Sequence, residues 1–315
     1  MLCIMIPTKT YTIIFIDLLC NTLNQRNMST TNTISLLIFC LILSGSTINE
    51  VVNIQNQGFK EQPSIKLAIN VLPSVVERFP CPNGYSRDVI TANSFADWLR
   101  KIPLKSTKSS VYLFNNELKQ NQSVHAAVLD IDVGTTDLQQ CADAIIRLRA
   151  EYLFKKRVYD SIVFTFTNGT KACYSKWRDG YRVQINGNTV SWIKKAQRDT
   201  SYTCFRNYLN TVFMYCGTYS LSKELRPVAA ANIRGGDVFI YGGFPGHAMI
   251  VIDVAINTLT GKKIFMLAQS YMPAQDIHIV KNFANAQISP WYEIPQNGIL
   301  ETPEWTFDTA DLKRF

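Results

Sequence analysis

Apolar residues recur at helical spacing over Leu138–Phe154, where Leu138, Cys141, Ala142, Ile145, Leu148 and Tyr152 share a face and Thr135-Thr136-Asp137 supplies N-cap chemistry. A second amphipathic run covers Tyr202–Cys216, Leu221–Leu225 adds a turn of helix, and Ser94, with Asp97 three residues on, starts a short helix around Phe95, Trp98 and Leu99. The period then changes. Asp237–Tyr241, His247–Ile256, Lys262–Tyr271 and Asp276–Val280 are rich in Val, Ile, Phe and Met and predict strands, with Thr258–Gly261 closing a hairpin between two of them. Val111–Phe114 and Val124–Asp132 flank a polar turn and predict another hairpin, while Ser161–Thr167 predicts a strand ended by Asn168-Gly169. The pattern implies one α+β domain over residues 71–315, helices first and an antiparallel sheet after.

Upstream the pattern is of another kind. Residues 34–43 form an apolar run followed by Ser44, Gly45 and Ser46, the h-region and cleavage pattern of a secretory signal, too short to span a bilayer. A second apolar stretch at Tyr11–Cys20 precedes it and Met28 stands just before it, so translation is expected to begin at Met28, a double apolar hairpin being the alternative. Residues 1–46 therefore read as a signal segment and 47–70 as a linker, and the mature chain is expected in the periplasm or outside the cell, with no stable membrane span.

The chain is 47% hydrophobic and 18% charged, enough for an ordinary core. Of 32 basic and 24 acidic residues, the signal segment removes Lys9, Arg26 and Asp17, leaving 30 and 23. A basic exported protein suits anionic partners such as peptidoglycan or another envelope polymer, and nucleic acid is not expected there. Its basic clusters, Lys155-Lys156-Arg157, Lys194-Lys195 and Lys262-Lys263, are scattered, which suits plain solubility equally. Five cysteines remain, Cys81, Cys141, Cys173, Cys204 and Cys216, an odd number without a CxxC pair, so a thiolate zinc site is not expected and at least one thiol stays unpaired. There is no GxSxG, P-loop or GxGxxG, and no cofactor or metal is expected.

Cysteine hydrolysis needs a thiolate, an imidazole and a polar group to orient the imidazole. Cys141 near a helix N-terminus would feel the positive end of the helix dipole, which favours the thiolate; its face shared with Leu138, Ile145 and Leu148 suits a small buried residue as well. His247 follows Gly242-Gly243-Phe244-Pro245-Gly246, where small residues would let a substrate approach the backbone. If Thr258–Gly261 closes tightly, residues 269–271 come within about two positions of His247. Gln269 is the favoured orienting group and Ser270 the reserve. Gln140, Gly246 and Trp177 are placed on the substrate side. His125 and His278 read as structural. Asp130 and Asp132 offer a carboxylate alternative for glycoside cleavage, and Trp177, Trp192, Trp291 and Trp305 offer surfaces for sugar rings in a non-catalytic glycan-binding or protein-binding alternative.

Gln-Gln-Cys141-Ala-Asp on a helix, Gly236-Asp-Val-Phe-Ile, Pro-Gly-His247-Ala-Met-Ile-Val-Ile-Asp and Phe-Met-Leu-Ala-Gln269-Ser together resemble the papain-like fold of CHAP and NlpC-type cell-wall amidases and endopeptidases. That resemblance implies Cys141, His247 and Gln269 as catalytic residues of a cysteine hydrolase acting on an amide bond in peptidoglycan or a related peptide. Cys141 and His247 stand 106 positions apart, so a helical insertion must separate them. Over nearly all its mature length the chain resembles an exported bacterial family, domain of unknown function 4846, through His-Ala-Ala-Val-Leu-Asp-Ile-Asp-Val-Gly, Asp-Leu-Gln-Gln-Cys-Ala-Asp-Ala and Ala-Gln-Ser-Tyr-Met-Pro-Ala-Gln.

Overall fold

Residues 72–315 are described by the computed structural model, so the signal segment and the linker expected over 1–70 lie outside the described residues. The first half contains α1 (Val75–Arg78), β1 (Tyr85–Arg87), α2 (Phe95–Arg100), β2 (His125–Val128), α3 (Cys141–Lys155), the hairpin β3 (Val163–Thr165) and β4 (Lys171–Cys173), and α4 (Tyr174–Arg178). A second hairpin, β5 (Tyr181–Asn186) and β6 (Thr189–Lys194), leads to α5 (Tyr202–Tyr215), α6 (Thr218–Glu224) and β7 (Arg226–Pro227). Then follow β8 (Val238–Tyr241), β9 (His247–Asn257), β10 (Lys263–Gln269), β11 (His278–Val280), β12 (Trp291–Glu293), β13 (Ile299–Glu301), β14 (Thr306–Asp308) and β15 (Leu312–Arg314).

Nine strands make one sheet in the order β2-β11-β10-β9-β8-β15-β7, with β1 beside the far end of β9 and β12 beside β10. The α+β expectation holds, but its layout needs correction: β1 and β2 precede the long helices and join the sheet built later. The predicted hairpin of Val111–Phe114 with Val124–Asp132 does not form. β2 pairs with β11, Val128 opposite His278, and the earlier run makes only the bridges Tyr112↔Leu118 and Leu113↔Gln275. The backbone edge of β11 needed a partner, and the polar turn placed no demand strong enough to compete.

Alternation along β9 divides the molecule into two cores. Ala248, Ile250 and Ile252 face the helices with Ile145, Ile146 and Phe205, while Met249 and Val251 face a smaller cluster with Phe239, Phe265, Leu267 and Phe307. Each large aliphatic residue that α3 buries contributes about 1.5–3 kcal/mol, so Ile146→Asp would unseat the helix. The register shifts where Met266 faces Asp253 but Leu267 faces Val251, and this irregularity presents Asp253 to both Arg87 and Arg100.

α3 begins at Cys141, three residues later than the apolar spacing predicts. Asp137, expected as part of the cap, is used elsewhere: its Oδ1 accepts from the Ala274 N–H at 2.7 Å and from Gln140 Nε2 at 3.0 Å. Gln140 becomes the N-cap in extended conformation, and its own N–H donates to Asp143 Oδ2 at 3.2 Å. The tether moves Cys141 from inside the helix to its first position. Between α3 and β7 lie the two hairpins, α4, α5 and α6, and Phe154 stacked on Phe205 at 4.2 Å ties this segment to α3.

Candidate active site

The site lies where the start of α3 meets the first residue of β9 and the last residue of β10. Cys141 occupies the first helical position and is buried, with the backbone N–H groups of Ala142 and Ala248 directed at its sulfur. Ala248 directly follows His247, so the sulfur sits beside the start of β9. Tyr271 neighbours Cys141, and its ring centroid is 4.9 Å from that of His247.

His247 is 2% exposed. Tyr271, Trp305 at 5.3 Å and Phe307 at 6.0 Å surround its ring. Its Nε2 lies 2.7 Å from Gln269 Oε1, and the network fixes which atom carries the proton. Gln269 Nε2 donates to Glu304 Oε2 at 2.6 Å and reaches His278 Nε2 at 3.3 Å. Turning the amide over would set its oxygen against the Glu304 carboxylate. The oxygen therefore faces His247, Nε2 of His247 carries the hydrogen, and Nδ1 is left as the basic nitrogen. His278 is fixed likewise: its Nδ1 donates to the Asp276 carbonyl at 2.9 Å, leaving Nε2 to accept from Gln269.

Behind the amide, Lys119 pairs with Glu304, and its ammonium lies 5.5 Å from the Tyr271 ring centroid. Sequence reasoning missed Glu304 and Lys119 and read His278 as structural, whereas His278 Nε2 contacts the Gln269 amide. Their signal is spatial: His278 is the register partner of Gln269, and Glu304 comes from a loop 35 residues further along. Parity settles the choice between Gln269 and Ser270. Ser270 turns the other way, where its hydroxyl donates to the Gln139 carbonyl at 2.9 Å and pins the segment before Cys141 to the end of β10.

Three expectations are corrected. Trp177 is not a substrate platform: it is buried in the helical insertion, 4.2 Å from the Arg182 guanidinium and 6.1 Å from Tyr208, because its indole completes the core under α5. Gln140 gives its side chain to Asp137. At Gly246, a Cβ would stand 2.3 Å from Thr218 Oγ1 and 2.6 Å from the Gly243 carbonyl oxygen, so close packing of the turn, rather than open backbone, requires glycine.

The helix dipole also fails to dominate the thiol. Burial, aided by Asp143, pushes the Cys141 pKa up to about 11 against the opposing backbone N–H groups. Burial holds His247 down to about 4, against the hydrogen bond to Gln269 and with Lys119 lowering it further. In the closed crevice the pair rests as thiol and neutral imidazole. Asp132, the carboxylate alternative, is held by Arg147 at 3.0 Å and Arg206 at 3.2 Å. All five cysteines among the described residues are free.

A family model described as a domain of unknown function, number 4846, matches residues 75–314. The chain belongs to that family. Every member of the Cys141, His247 and Gln269 cluster, and Glu304 with it, falls within this domain of unknown function. Comparison with curated proteins and with solved structures returned no match. Among the described residues of this family domain, no helix is long and apolar enough to cross a membrane, and no group of three His, Cys, Asp or Glu side chains gathers as a metal site would require.

Proposed function

We propose that this chain is an exported, papain-like cysteine hydrolase that cleaves an amide bond in peptidoglycan or a related envelope peptide. The observation that carries the reading is the 2.7 Å contact between His247 Nε2 and Gln269 Oε1, which leaves Nδ1 as the basic nitrogen on the strand whose next residue, Ala248, neighbours the sulfur of Cys141 at the first position of a helix. Cys141 attacks the substrate carbonyl as His247 Nδ1 takes the thiol proton, forming a tetrahedral intermediate. The Cys141 backbone N–H, free of an intrahelical partner at that position, donates to the oxyanion. Collapse to a thioester expels the amine, which receives the proton from His247, and water then releases the acid and restores the thiol. Because the resting pair is neutral, the proton moves in step with attack. The positive balance of the mature chain suits an anionic polymer.

A second reading keeps the fold and drops the activity, leaving a glycan-binding or protein-binding module of the envelope. The 7% exposure of Cys141 and its raised pKa favour it. Digestion of purified peptidoglycan, read as new amine ends by mass spectrometry, separates the two. The hydrolase releases fragments and Cys141→Ala does not; if wild type releases none and iodoacetamide labels Cys141 only on unfolding, the binding reading replaces it.

A further inference from the structure

Away from the cysteine site, a cavity of about 550 Å³ opens between the start of α2, the loop before β8 and the end of β15. Four cationic side chains line it: Arg149, Arg234, Lys263 and Arg314. Their bonding sets two of them apart. Arg314 is satisfied by Asp237 at 2.6 and 2.8 Å, and Lys263 donates to the Ile233 carbonyl at 3.2 Å. Arg149 and Arg234 take part in none of the ion pairs among the described residues. The Asp237 carboxylate is engaged by Arg314 and by the Arg234 backbone N–H, which reaches its second oxygen at 2.8 Å, and it makes no contact with the Arg234 guanidinium. The other lining carboxylate, Asp88, leaves the wall with an excess of positive charge.

Arg149 is also held in place. Its guanidinium carbon lies 5.1 Å from the ring centroids of both Phe95 and Phe315 and 5.7 Å from that of Tyr152. Aromatic faces attract the cation but offer its N–H groups no acceptor in the ring plane. Burial lowers its pKa, opposed only by Tyr152. A fixed fork of donors, desolvated by its walls and open to a cavity, is suited to an oxyanion taken in the plane of the guanidinium.

We infer that this cavity is a binding site for a small oxyanion, a phosphate or carboxylate group, held by Arg149 and Arg234. The inference does not depend on the hydrolase reading, because no member of the cysteine cluster lines this cavity. The test is isothermal titration of the full chain with inorganic phosphate and separately with acetate, at low salt, where screening is least. Saturable binding of either anion is expected, the tighter one naming the head group. Arg149→Met keeps the apolar stem and should weaken that binding by about tenfold or more. Arg234→Gln lies at an exposed position, so it reports on the site even if the first variant does not fold, and it should weaken binding in the same sense. Cys141→Ala should leave the titration unchanged. Absence of saturable binding by the wild type, or binding that Arg234→Gln leaves intact, overturns the inference.

Discussion

At the register shift of β9, Asp253 meets two guanidinium groups; at the first residue of the same strand, His247 meets a neutral amide. Both side chains are almost completely buried. The Asp253 carboxylate is compensated by permanent charges, Arg87 at 2.8 Å and Arg100, which lock the end of α2 and β1 onto the strand. The His247 cluster carries no charge on the ring and orders its hydrogen bonds through Gln269 toward Glu304 and Lys119. The ion triad sets a carboxylate between two guanidinium groups, whereas a buried neutral imidazole keeps a nitrogen able to take a proton. The difference separates a polar cluster that anchors the fold from one that can do chemistry.

The largest effect is expected at the anchor. Asp253→Asn removes the charge between two arginines and should cost about 3–5 kcal/mol of stability, seen as a lower urea midpoint, with turnover per folded molecule unchanged. Loss of under 1 kcal/mol would mean that the arginines are satisfied by solvent.

Acid sharpens the contrast. The unfolded chain protonates its histidines near 6.5, while the folded chain holds His247 to about 4 and His278 to about 3, both chiefly by burial. Stability from these groups is complete above pH 6.5 and falls as the pH drops through the window to 4 and below, because the unfolded state binds protons first. For His247 alone the loss is on the order of 3 kcal/mol. Between pH 6.5 and 4 the denaturation midpoint of His247→Phe, which lacks this titration, should fall by less than that of wild type.

A smaller effect tests the amide. Gln269→Ala leaves the His247 Nε2–H without its acceptor and should reduce turnover about a hundredfold, while its unfolding midpoint moves much less than that of Asp253→Asn. Equal turnover would place the orienting group elsewhere. Smallest of all, Trp177→Phe keeps an aromatic ring in the insertion core, so it should cost about 1–2 kcal/mol and leave turnover unchanged, as a kinetic assay beside thermal unfolding would show.

Several of these features are legible in the sequence. Apolar spacing located α5 to within a residue and α3 to within three at its start, and β-branched runs located β8 to β11. The short connection at Thr258–Gly261 brought residues 269–271 near His247. These are properties of neighbours along the chain, where spacing translates directly into a face or a register.

Local spacing alone thus set the α+β class, the helix that carries Cys141 and the strand that begins at His247. Long-range contacts set the rest. The Ala274 N–H captured Asp137 and moved the helix start to Cys141; pleat parity chose Gln269 over Ser270; Glu304 and His278 fixed the amide; Trp177 went into the core. Each of these depends on partners far apart in the chain, and the burial that pushed the thiol up and the imidazole down exists only once both cores have closed around the site.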